Sequence, residues 1–93
     1  MNDVTKFTLQ HGVLTAHGTS AGGDAFLTLV VEEVASAQYT ETLDYERKKV
    51  LETRVWVTLR GTRGGHEIVG PAVKEIAAAL NTEMLHIAKC RRT

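Results

Sequence analysis

From Val50 to Arg60 polar and apolar positions alternate with little interruption. Leu51, Thr53, Val55, Val57 and Leu59 fall on one side, and Glu52, Arg54, Trp56, Thr58 and Arg60 on the other. A period of two this clean predicts a β-strand with one face in a core and the other toward water or a partner. Val4 to Leu9 repeats the pattern more weakly, with Phe7 and Leu9 opposed to Lys6 and Thr8. His11-Gly12 supplies a tight turn, because glycine takes positive φ at no steric cost, and Val13 to His17 forms the return strand. Residues 18–24, a run of Gly, Thr, Ser, Ala and Asp, form a polar glycine-rich loop. Ala25 to Val34 is the next strand, rich in β-branched and aromatic residues. Both of its faces carry apolar side chains, which places it at the centre of a sheet.

Residues 36–49 support two readings. Thr40 or Thr42 could cap a short helix with Tyr39, Leu43 and Val50 on one face and Asp44 four residues before Lys48. The same residues could instead form the tip of a long hairpin. The helix is slightly favoured. Gly70-Pro71 then opens a helix, since proline at the first helical position loses no intrahelical hydrogen bond. Val73, Ile76, Ala77 and Leu80 give the 3.6-residue stripe, and Met84, Ile87 and Ala88 extend it. One continuous helix to about Cys90 is the expectation; a stop at Asn81-Thr82, with Met84 to Cys90 as a last strand, is the alternative. The fold class is therefore α+β: a small antiparallel sheet of about four strands, with a C-terminal amphipathic helix on one face. At 93 residues the chain is a single compact domain, 1–93.

Composition adds two constraints. With 43% hydrophobic and 24% charged residues the chain has the balance of a soluble globular protein, and no apolar run approaches a membrane span. The N-terminus lacks the basic and apolar segments of a signal peptide, and a single cysteine, Cys90, suits a reducing compartment, so a cytoplasmic location is expected. Zero net charge conceals an asymmetry. Residues 1–46 hold seven acids and one base, whereas residues 47–93 hold ten bases and four acids. Such a split suggests a partner for the basic half, often nucleic acid, unless the two halves neutralise each other in the fold.

Catalytic and metal signatures are weak. His86 and Cys90 share a helix face and could ligate zinc or act as base and nucleophile. A pair is only half of a tetrahedral site, and neither an orienting third group nor an oxyanion site can be identified. His11, His17 and His66 supply no second spaced pair. Gly65 and Gly70 have the spacing of a phosphate loop, but Pro71 and Ala72 stand where lysine and a hydroxyl residue are required. One Arg-Gly-Gly at 63–65 is not a repeat. No cofactor or metal is expected, and the chain is read as a non-enzyme.

The outer face of the 50–60 strand carries more. Arg54, Trp56 and Arg60 alternate along it and Arg63 follows, a mixture of guanidinium and aromatic groups that suits single-stranded nucleic acid and protein interfaces alike. Trp56 beneath a helix, with the arginines paired to Glu32 or Glu33, is the structural alternative. Arg47, Lys48, Lys49, Arg91 and Arg92 are accessory basic contacts. No motif assigns a family. In general character the chain resembles small phage-encoded accessory and inhibitor proteins, anti-CRISPR proteins among them; the resemblance is one of kind. It implies a monomer or homodimer that occupies a surface of a protein or nucleoprotein complex, with no membrane partner. Direct binding of single-stranded RNA or DNA is the alternative.

Overall fold

A computed structural model describes residues 1–61 and 64–91. Six strands and one long helix follow in order: β1 (Asn2–Gln10), β2 (Val13–Ser20), β3 (Gly23–Val30), β4 (Val34–Asp44), β5 (Lys49–Leu59), β6 (Gly65–Val69) and α1 (Val73–Arg91), with a 3-10 turn at Val31–Glu33 between β3 and β4. The class is α+β. The strands form two three-stranded antiparallel meanders, β1-β2-β3 and β4-β5-β6, where the sequence suggested one sheet of about four.

The first meander follows the alternation closely. Leu14 and Ala16 of β2 and Leu29 of β3 are buried, while Phe26 and Val30 on the opposite face of β3 are exposed. His11 and Gly12 both adopt positive φ, the geometry that matches a two-residue turn to the twist of its strands. Two expectations change here. The glycine-rich 18–24 segment is mostly strand, with only Ala21-Gly22 turning. Gly18 serves close packing, because a Cβ there would lie 2.5 Å from the Asn2 carbonyl oxygen. Strand β3 is also an edge, and its second apolar face meets solvent.

The favoured helix at 36–49 is absent, and these residues belong to a long β4–β5 hairpin. Tyr39 faces Val55 and Ala37 faces Val57 in its ladder. Tertiary pairing with so regular a strand overrides a weak local helix signal. Asp44 organises the tip by accepting from the amides of Glu46 and Arg47, at 3.0 and 3.3 Å, and its ion pair is with Arg47 in place of the expected Lys48. Strand β6 was hidden in sequence by its flanking glycines; His66 and Ile68 pair with Val57 and Val55.

Helix α1 runs unbroken, with Val73, Ile76, Ala77 and Leu80 buried. Asn81 does not stop it. Its amide donates to the Ala77 carbonyl at 2.9 Å and to Ala37 on β4 at 3.4 Å, so the residue ties the helix to the edge strand. Pro71 lies before the cap: Ala72 accepts the first helical bond, from the Ile76 amide. The helix packs on β4, β5, the 3-10 turn and β1. Each strand adds at least one side chain to the cluster beneath it, including Val4, Leu14, Leu29, Val34, Val55 and Ile68. No helix among the described residues is long and apolar enough to cross a membrane.

The two meanders meet at one corner. The Met1 amino group donates to the Glu67 carbonyl and the Val69 amide donates to Met1, flanking Ile68 as a parallel pairing does. The Ala72 amide donates to Val4, and Gly70 (φ 147°) lies so close that a Cβ would fall 2.3 Å from the Val4 nitrogen. Gly70→Ala combines forbidden backbone with a main-chain clash and is expected to destabilise the fold by about 1–3 kcal/mol or more. Gly22→Ala, which points into open space, should stay within about 0.5 kcal/mol of the parent. Urea midpoints of the two variants check this pair of outcomes.

Candidate functional site

The structure divides the residues that sequence grouped together. Arg54 and Trp56 do share the outer face of β5, opposite Thr40 and Gln38 on β4 and beside Val69 and Glu67 on β6. Arg60 lies past the end of β5, where its amide donates to the Glu33 carbonyl, and with Arg91 it lines a cleft against α1. Arg63 and Arg92 lie outside the described residues. The expected row of Arg54, Trp56 and Arg60 is therefore broken: the strand ends at Leu59, and the chain turns toward the helix.

Arg54 is already engaged. Its guanidinium donates to Glu52 at 2.9 Å and approaches Glu67 at 3.5 Å. The hydrogen bond to Glu52, and then the charges of Glu52 and Glu67, push its pKa upward. These half-exposed pairs contribute little to stability, ~0–1 kcal/mol each. Their chemical effect is larger. Two carboxylates flank one guanidinium, so a phosphate approaching this face meets a net negative charge.

Trp56 is not sealed under the helix; it is 44% exposed. It lies over Gly65, where an ideal Cβ would come within 3.1 Å of the indole ring and 2.3 Å of the Val57 carbonyl oxygen. The glycine considered for a phosphate loop thus makes room for an aromatic side chain and a neighbouring strand.

The hairpin tip holds what sequence reading missed. Strand β6 pairs with β5 only over Arg54–Thr58, so beyond Arg54 the β4–β5 ladder continues without a third strand. Four residue pairs remain beyond Arg54, roughly 13 Å. The first is tied down where the Gly70 amide donates to the Thr53 carbonyl and the Thr53 hydroxyl to the Gly70 carbonyl, and the rest project as an arm from a molecule measuring 49 × 31 × 25 Å. On this arm Tyr45 is 84% exposed and Leu51 64%, with Leu43 and Val50 paired opposite each other and also exposed. Leu51 is the extra residue of a bulge between the Thr42–Glu52 and Leu43–Val50 pairs. Arg47, Lys48 and Lys49 surround these side chains; Arg47 lies 3.8 Å from Asp44, and Lys48 adopts positive φ. The signal was present as Leu43, Tyr45, Val50 and Leu51 close in sequence, but a helical reading hid their exposure.

Elsewhere on the hairpin the Tyr39 hydroxyl donates to Glu41 at 2.7 Å, and losing its proton beside that carboxylate is disfavoured, which pushes its pKa up to about 12. On the last turns of α1, His86 Nε2 and Cys90 Sγ lie 3.7 Å apart on the surface. No group of three or more metal-ligating side chains gathers among the described residues. No family model, curated protein or solved structure matches the chain.

Gly65→Ala should displace the indole from its seat. Trp56 is the single tryptophan, so its emission reports the change directly. A shift in emission maximum is expected, with a loss of stability of about 1–3 kcal/mol for overpacking. An unchanged spectrum and urea midpoint would place the ring elsewhere.

Proposed function

We propose that the chain is a non-catalytic binding module whose β4–β5 hairpin docks on a protein or nucleoprotein partner and acts by occupying that partner's surface. One observation carries the reading. Among the described residues eight large apolar side chains are exposed, and five of them (Leu43, Tyr45, Val50, Leu51 and Trp56) lie on this one hairpin. A two-stranded ladder standing free in water is only marginally stable, and the apolar side chains exposed at its end, with Leu43 and Val50 paired on the face opposite Trp56, mark an interaction site. Tyr45 and Trp56 are the residue types that anchor interfaces, with Arg47, Lys48 and Lys49 as a rim that steers an acidic partner.

Protein is favoured over naked nucleic acid by the neighbours of Arg54. Glu52 and Glu67 hold its guanidinium and repel phosphate from the face where an aromatic side chain would stack bases. That the sequence holds one cysteine, the exposed Cys90, supports a reducing, cytoplasmic setting.

The test is capture from host cells on the tagged full chain, with and without nuclease. The partner should survive nuclease and be lost with Tyr45→Ser combined with Leu51→Ser. Trp56→Ala should weaken binding by about 2 kcal/mol, some thirtyfold. Amide spectra of the variants establish that the fold is intact. Capture indifferent to all three substitutions would sink the reading, and capture abolished by nuclease would transfer it to nucleic acid.

A further inference from the structure

Far from the hairpin tip, Arg60 and Arg91 both line a cleft of about 280 Å³ between the 3-10 turn, the start of β4 and the last turns of α1. Its floor is apolar. Val31 and Val34 are fully buried, and Met84 and Ile87 are half-buried along the helix. Its rim is charged. Arg91 lies 3.5 Å from Glu32, with both side chains more than half exposed, whereas Arg60 makes no ion pair among the described residues. The Arg60 backbone is fixed to Glu33 by its amide hydrogen bond, so this guanidinium starts from a defined point on the rim.

We propose that this cleft is a binding site for a small apolar monocarboxylate, whose aliphatic body lies on Met84 and Ile87, over the buried Val31 and Val34, and whose carboxylate meets Arg60 and Arg91. Three features select this chemistry. A concave apolar surface with a few convergent polar groups is the usual form of a small-molecule site, and its volume is near the lower end of the range for such sites, about 300–1,000 Å³. Two guanidinium groups against one carboxylate leave a single positive charge, which a monoanion balances and a phosphate dianion exceeds. Guanidinium also presents the planar fork that a carboxylate accepts in bidentate form. Glu32 is then a competitor: its weak, solvent-exposed pair with Arg91 exchanges for the ligand's carboxylate. This site is independent of the hairpin reading.

Sodium octanoate is the probe, titrated into the full chain at neutral pH while the methyl groups of Val, Ile, Met and Leu are followed by NMR. Saturable shifts are expected at Val31, Val34, Met84 and Ile87, and octylammonium, with the same tail and the opposite charge, should not produce them. Arg60→Gln should weaken octanoate about tenfold or more, the loss of a charge-assisted hydrogen bond, with Arg91→Gln acting in the same direction. Glu32→Gln should tighten binding by releasing Arg91, and Tyr45→Ser with Leu51→Ser should leave it unchanged. The proposal is overturned by equal binding of octylammonium, by unsaturable shifts, or by octanoate affinity that ignores Arg60→Gln in a variant with a native amide spectrum.

Discussion

The fold depends on how closely β1 can approach the corner between β6 and α1. Neither three-stranded meander can bury an apolar face alone, and a single helix must serve both. The Met1 pairing beside Ile68 and the Ala72 bond to Val4 hold the meanders against that helix. Gly70 permits the approach, since any side chain there would occupy the position of the Val4 backbone. With the corner closed, Val4 joins Ile68, Ile76 and Leu80 in one buried cluster. Each such aliphatic side chain contributes roughly 1.5–3 kcal/mol by leaving water. In a chain of this size that is a large share of a small net stability.

The same geometry determines what is left uncovered. Helix α1 and strand β6 both reach the body of the β4–β5 hairpin, where Val55 and Val57 are buried. Beyond Arg54 β6 no longer pairs, yet both strands of the hairpin continue. Leu43, Tyr45, Val50 and Leu51 are therefore exposed by architecture, although their chemistry suits burial. Asp44 gives the arm an ordered tip by bonding two successive amides. A ladder that is ordered at its tip and apolar along its length resembles half of an interface.

Much of the architecture was legible in sequence where periodicity was long and consistent. The 50–60 strand and the 73–90 helical stripe were sufficient to give the α+β class and six of the thirteen buried core residues among those described. Reading failed where a residue's role depends on a distant segment. Gly18 and Gly65 look like loop residues until the neighbouring backbone or the Trp56 ring is seen against them. Tyr39 and Leu43 fit a helical face until β5 supplies a ladder. At Asn81 the reading held, and the helix that the apolar stripe predicted runs on through it. Of the candidate site, Arg54 and Trp56 were correctly placed on one face, but the two carboxylates that claim Arg54 are an effect of register. Arg60 was assigned to that face by parity, and parity fails where a strand ends.

Two surfaces result, with different chemistry. The hairpin offers a broad, partly aromatic area to a macromolecule, and the Arg60–Arg91 cleft offers a small concavity to an anion. Amide hydrogen exchange compares the arm and body directly, because local opening follows local burial. It should be measured on the free chain and on the chain in the complex recovered from host cells. In the free chain, amides of residues 43–51 should exchange much faster than those of 54–58, which lie between β4 and β6. In the complex the greatest slowing should fall on 43–51. Exchange in the arm that is slow without a partner, or unaltered with one, would contradict the assignment of this hairpin as the contact surface.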